Sequence, residues 1–220
     1  MKINAVLFDF DGTLADTLPI CFYSFQKVFN KYDHRDLSVQ EIISMFGPSE
    51  TGIIQQNLKS KDRINEAMED YYFYYENEHK NFVSKNHEVD ELIHRLHSKG
   101  IKTGIVTGKA RRSYEISIKH LFSKDLFKVS ITGDDVVDPK PHPEGILKAM
   151  NALGCSPAET LFVGDSNADI EAGKRANVQT VGVNWLKNSH GSEFLIKPDY
   201  VYAHIHDFVK KLFVDDGAII

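Results

Sequence analysis

The sequence predicts a mixed α/β fold, a doubly wound parallel sheet with a helical bundle inserted after its first strand. Three observations carry this expectation. Several short runs are apolar throughout, which suits strands covered on both faces. Each is followed by a segment with helical spacing, the strand–helix alternation of a parallel sheet. One long stretch, residues 16–84, breaks the alternation and holds no convincing strand.

The strand candidates are "AVLFDF" at 5–10, "KTGIVTG" at 102–108, "FKVSITGDD" at 127–135, "TLFVGD" at 160–165 and "TVGVNW" at 180–185. Between them, "DELIHRLHSKG", "RRSYEISIKHLF", "HPEGILKAMNALG" and "ADIEAGKRA" read as amphipathic helices. Gly100 and Gly154 stand where helix C-caps belong. In the interrupting stretch, Leu18, Cys21, Phe22, Phe25, Val28, Phe29 and Tyr32 recur at helical spacing. "SVQE" at 38–41 is a capping box, in which a hydroxyl and a carboxylate satisfy free amides at a helix start. "FGPSE" at 46–50 is a turn before another helix, and a long helix is expected from about Lys61 to Phe82. The expected division is an α/β core of residues 1–15 and 85–220, with residues 16–84 as a helical bundle above it.

Composition narrows the function. Hydrophobic content of 42% and charged content of 26% over 220 residues are those of a soluble globular chain. A net charge of −5 argues against nucleic acid as a partner. No run of about 18 apolar residues could span a bilayer. The N-terminus reaches Asp9 quickly and lacks signal-peptide features, so a cytoplasmic, full-length protein is expected. Only Cys21 and Cys155 are present, with no metal-binding spacing, which fits a reducing compartment.

In an open parallel sheet, ligands bind beyond the carboxyl ends of the strands. The first strand ends in Asp9 and Asp11, the second in Thr107 and Gly108, and the fourth in Asp165 with Asp169 close behind. "DPKPHPE" after the third offers Lys140. Four carboxylates near one point cannot all stay ionised without a cation. An all-oxygen, acid-rich site suits a hard divalent ion, and Mg²⁺ is the expected cofactor where phosphate is also bound. A lysine and a hydroxyl beside it would hold an anion, with Gly12 and Thr13 lending backbone N–H groups. No GxSxG elbow is present, so the nucleophile is expected to be a carboxylate. Asp9 is placed to attack phosphorus. Asp11, on the same side of an extended chain, is placed to protonate the leaving oxygen and then activate water.

"DFDGTLADT", "VTGK", "KPHPE" and "GDSNAD", in this order, resemble the haloacid dehalogenase superfamily of aspartate-nucleophile phosphatases, most of all its phosphoglycolate phosphatase-like branch. The resemblance implies a Rossmann-like core with a mobile helical cap. It implies Asp9 as nucleophile, Asp11 as general acid/base, and Thr107 and Lys140 as phosphate ligands. It also implies Mg²⁺ held by Asp9, the backbone carbonyl of Asp11, and Asp165, with Asp169 in support. The expected activity is hydrolysis of a small phosphorylated metabolite. The alternatives are a sugar phosphomutase of the same superfamily and an inorganic pyrophosphatase. Sugar phosphomutases of this superfamily use a cap histidine, and Cys21 stands at that position here. Two departures stand out: Gly108 and Lys109 follow Thr107 where relatives often carry Ser/Thr and Asn, and the return linker lacks a Pro-Gly turn. A monomer is expected, with a dimer as the alternative.

Other residues receive plainer expectations. Asp16 should act at the hinge, capping the first helix. The run "YYFYY" at 71–75 should pack the bundle, His142 should shape a turn, and Asp134 and Asp135 should cap or face solvent. Gly47 and Pro48 are candidates for a substrate loop, against a plain turn. Lys187 and His190 should be solvated.

Overall fold

The computed structural model describes residues 3–123, 125–189 and 193–213, so His190 lies outside the described residues. The strands are β1 (Ala5–Phe8), β2 (Lys102–Val106), β3 (Val129–Ile131), β4 (Thr160–Gly164), β5 (Gln179–Val183) and β6 (Tyr200–Tyr202). They pair in parallel in the order β3-β2-β1-β4-β5-β6. The order reverses between β1 and β4, and a crevice opens at such a switch point beyond the carboxyl ends of the strands. The acids that follow β1 and β4 are therefore brought together by topology.

The helices that cover the sheet are α5 (His87–Ser98), α6 (Arg111–Leu121), α7 (Glu144–Leu153), α8 (Asn167–Arg175) and α9 (Ile205–Phe213). Alternate residues of β1 feed two separate cores. Ala5 and Leu7 join Ile146 and Met150 of α7 and Ala172 of α8. Val6 and Phe8 join Leu92 and Ile93 of α5, Tyr114 of α6 and Phe208 of α9. Helices thus lie on both faces of the sheet. Gly100 and Gly154 adopt left-handed φ angles of 74° and 62° at the ends of α5 and α7, as their positions predict.

Residues 18–82 hold α1 (Leu18–Asp33), α2 (Val39–Ile43), α3 (Glu50–Asn57) and α4 (Ile64–Phe82), and no strand among the described residues. Ser38 and Glu41 form the capping box of α2. The packing of α1 on α4 is aromatic: Phe25 lies 4.7 Å from Tyr71 and Tyr71 lies 6.0 Å from Tyr75, centroid to centroid. Each such ring, fully buried, stabilises by about 1.5–3 kcal/mol. Tyr71, Tyr72 and Tyr75 are buried, whereas Phe73 points outward at 60% exposure, so the aromatic run packs on one helical face.

The sheet has one strand more than the sequence suggested. β6 is three residues long and preceded by Pro198, too short to stand out from its loop. The last helix, α9, also lies beyond the expected elements, although Ile205, Phe208, Val209 and Leu212 carry a helical period and are all buried. Where β3 was expected to run to 135, it ends at Ile131, and Gly133–Asp135 form a 3₁₀ turn.

Candidate active site

β1 delivers Asp9 to the switch point, and its N–H donates to the Val163 carbonyl of β4 at 2.8 Å. The chain then turns sharply. Gly12 N–H donates to Ala15 O, and the amides of Thr13, Leu14 and Ala15 all converge on Phe10 O. Gly12 has φ +80°, and a Cβ there would lie 2.2 Å from Asp165 Oδ2. The glycine is thus required twice, by the left-handed backbone and by the close carboxylate. Thr13 is buried and its hydroxyl donates to Asp165 Oδ1 at 3.2 Å. Trp185 Nε1 donates to Thr13 O at 2.7 Å and holds the turn from behind. Gly12 and Thr13 were expected to lend their N–H groups to a ligand. Here both amides donate inside the turn, to Ala15 O and Phe10 O, and it is the Thr13 hydroxyl that reaches Asp165.

β4 ends at Gly164 and is followed by Asp165 and the N-cap of α8. Ser166 and Asp169 cap that helix reciprocally, with Ser166 Oγ to Asp169 Oδ2 at 2.6 Å. The other oxygen of Asp169 faces Lys140 Nζ at 2.6 Å, and the same ammonium reaches Asp9 Oδ1 at 2.7 Å and Val106 O at 3.2 Å. One lysine therefore ties the ends of β1 and β2 to the first turn of α8. Asp9, Asp165 and Asp169 are all buried, and each offers an oxygen within 4.8 Å of the others. Burial first, then the charges of Asp169 and Asp165, push the Asp9 carboxyl up to about 7 against the opposing pull of Lys140. Burial disfavours the charge on Lys140, but Asp169 and Asp9 outweigh it and hold the ammonium above its ordinary range. Three clustered buried carboxylates, two of them sharing the Lys140 ammonium, form a hard-oxygen set that fits a small divalent cation.

Asp11 points elsewhere. Its carboxylate accepts from the Thr17 hydroxyl, and Lys109 Nζ stands 3.1 Å from its Oδ1. Its side chain is not among the three clustered acids. Thr107 is buried, and its hydroxyl accepts from Lys109 N–H at 3.2 Å. Asp9, Asp11, Thr107, Gly108 and Lys140 line the floor of a cavity of about 400 Å³. Its opposite wall is largely apolar, with Leu18, Phe25, Phe46 and Ile53 beside Gly47 and Pro48, the two residues expected as a substrate loop. Cys21 and Glu50 complete that side, and Cys21 Sγ lies 3.3 Å from Lys109 Nζ. Both cysteines are free, and burial pushes the Cys21 thiol up to about 12.

Residues given plainer expectations mostly follow them. His142 is exposed, and its Nδ1 accepts from Glu144 N–H within the turn. Asp134 accepts from Arg111 N–H at the start of α6, and Asp135 accepts from the Thr132 amide and hydroxyl. Lys187 is exposed. Asp16 differs: Thr17, not Asp16, is the N-cap of α1, and both Asp16 oxygens accept from Asn188 Nδ2 at 2.9 Å. Sequence reasoning did not select Lys109 or Glu50. Lys109 is signalled by its place two residues after Thr107. Glu50 resembles any acid in a first helical turn.

A model of the haloacid dehalogenase-like hydrolase family matches residues 6–183. A protein named pyrophosphatase PpaX from Bacillus mycoides (strain KBAB4) is 36% identical over 209 residues, 95% of this chain and 96% of that one. Another of that name, from Anoxybacillus flavithermus, is 35% identical over 214 residues, 96% and 98% of the two chains. In fold, the chain is similar to a predicted phosphoglycolate phosphatase from Haemophilus somnus 129PT, with a TM-score of 0.82 at 23% identity over 96% of this chain and 98% of that one. On the family match and these near-complete relatives, the chain belongs to the haloacid dehalogenase-like hydrolase family.

Proposed function

We propose that the protein is a Mg²⁺-dependent phosphatase that acts on a small phosphorylated metabolite through an aspartyl-phosphate on Asp9. The observation that carries the proposal is Lys140, whose ammonium joins Asp9 to Asp169 on the floor of the cavity, beside Asp165. Asp9, Asp165, Asp169 and the backbone carbonyl of Asp11 would hold the metal, which supplies positive charge to the phosphoryl oxygens as it neutralises the acids. Thr107, Gly108 and Lys140 would bind the remaining phosphoryl oxygens.

In the first step an Asp9 oxygen attacks phosphorus, the bond to the leaving oxygen breaks, and Asp11 donates a proton to that oxygen. In the second step Asp11 takes a proton from water, the water oxygen attacks phosphorus, and the bond to Asp9 breaks. Phosphate leaves and both aspartates are regenerated. The helices of residues 16–84 would act as a cap, keeping bulk water from the floor during the first step.

Pyrophosphate is the first substrate to test, because the curated relatives carry the name pyrophosphatase. The sugar phosphomutase alternative has less support, since Cys21 fills the wall position expected of a histidine. Phosphate release should be measured on pyrophosphate, phosphoglycolate, sugar phosphates and nucleotides, with Mg²⁺ and with EDTA, for the native protein and Asp9→Ala. Release that requires both Mg²⁺ and Asp9 supports the proposal. Release that survives in Asp9→Ala would refute it.

A further inference from the structure

Lys109 is a second buried cation at the cavity, and its side chain is 0% exposed. Nζ lies 3.1 Å from Asp11 Oδ1, 3.1 Å from Glu50 Oε1 and 3.3 Å from Cys21 Sγ, and it stands over the Tyr75 ring at 4.7 Å from the centroid. One ammonium thus joins two carboxylates from different parts of the chain. Asp11 follows β1, whereas Glu50 opens α3 in the helical segment.

Glu50 is itself held with precision. One oxygen accepts from Ala110 N–H, and the other accepts from the Ser113 hydroxyl at 2.5 Å. Ala110 is the N-cap of α6 and has no side-chain oxygen to satisfy the free amides of that helix start. Asp134 takes the first of these, Arg111 N–H, whereas Glu50, sixty residues earlier, accepts from the N–H of the N-cap residue Ala110. A carboxylate there is also favoured by the positive end of the helix. The contact therefore fixes where α3 docks, and the docked carboxylate fixes Lys109.

A cation enclosed in this way is poorly placed to bind substrate directly, because its neighbours already occupy its donor directions. Its influence on the floor runs through Asp11. We propose that Lys109 is a positioning residue that sets the direction of the Asp11 carboxylate, and that Glu50 completes this setting from the helical segment. The acid/base group is then aimed only while α3 is docked on the start of α6. This rests on the phosphatase reading and on the role given there to Asp11.

A misdirected proton donor penalises poor leaving groups most, whereas a merely loosened structure slows all substrates alike. The test is kcat/KM, which reports events up to loss of the leaving group. It should be measured for aryl phosphates graded from p-nitrophenyl to p-methoxyphenyl phosphate, with native protein, Lys109→Gln and Glu50→Gln. General acid–base catalysis contributes about 10²–10⁴-fold. For Lys109→Gln we expect little change on the p-nitrophenyl ester and a loss of about tenfold or more on the p-methoxyphenyl ester. Glu50→Gln keeps the shape and an acceptor for Ala110, and should show the same trend at smaller size. An equal loss across the series, or none, in both variants would overturn the inference while leaving the phosphatase reading intact. Native protein inactive on every ester with Mg²⁺ would overturn both, and that result is distinct from the first.

Discussion

Lowering the pH should loosen the contact between α4 and α6 at one imidazole. His79 of α4 is fully buried, and its Nε2 meets the Ser117 hydroxyl of α6 at 3.0 Å. Its ring stacks on His120 at 4.8 Å, and its Nδ1 has no hydrogen-bond partner among the described residues. Burial, and then the positive charges of His120 and Lys109, lower its pKa from 6.5 to about 4, with Asp11 opposing. A histidine depressed in the folded state favours folding above the unfolded pKa and loses that contribution as the pH falls towards the folded value. The window is therefore pH 6.5 down to 4. At pH 4.5 the linkage amounts to about 2.5 kcal/mol, since each tenfold change in proton affinity is worth ~1.4 kcal/mol. For a chain of this size that is roughly 5–10 °C in Tm. Thermal and urea unfolding of native protein and His79→Phe should be compared at pH 7.5, 6.5, 5.5 and 4.5. The native protein should lose about 2.5 kcal/mol more than the variant over this range. Parallel curves would show that His79 is not held neutral by this contact.

Three further outcomes follow from the floor of the cavity. Gly12→Ala should cost at least ~1–2 kcal/mol for the left-handed backbone alone, and the new Cβ, 2.2 Å from Asp165, should also abolish stabilisation by Mg²⁺ in a thermal melt. Lys140→Met leaves Asp9 and Asp169 buried without their shared cation. In EDTA it should lose about 3–5 kcal/mol in urea unfolding, and Mg²⁺ should recover more stability in this variant than in native protein. For Asp9, whose carboxyl burial raises to about 7, the sign is opposite to that of a paired acid. In EDTA its contribution is fully present below about pH 4 and lost as the pH rises to 7, so Asp9→Asn should flatten that fall.

The fold was readable where local and global signals agreed. β1, β2, β4 and β5 are apolar throughout because both faces are covered, and Gly100 and Gly154 mark helix ends for a steric reason. The three-residue β6 is defined by its pairing with β5, information that no local window contains. The acids at the floor could be found because strand ends in a parallel sheet converge. Direction was harder to read. That Asp11 turns to Thr17 and Lys109, or that the Gly12 and Thr13 amides close on their own turn, depends on hydrogen bonds formed only after packing. Glu50 was hidden for the same reason, since its partners Ala110 and Ser113 lie sixty and more residues away.

The central claim is that Asp9 carries the phosphoryl group. The most direct test is acid-quenched turnover of Asp11→Asn with labelled p-nitrophenyl phosphate and Mg²⁺. That leaving group needs no proton donor, while the second step lacks its base, so the intermediate should accumulate. The account predicts a burst of about one nitrophenolate per protein, with hydroxylamine-sensitive label on the peptide containing Asp9 and none in a protein that also carries Asp9→Asn. Turnover by native protein with no burst and no label on that peptide in Asp11→Asn would contradict it.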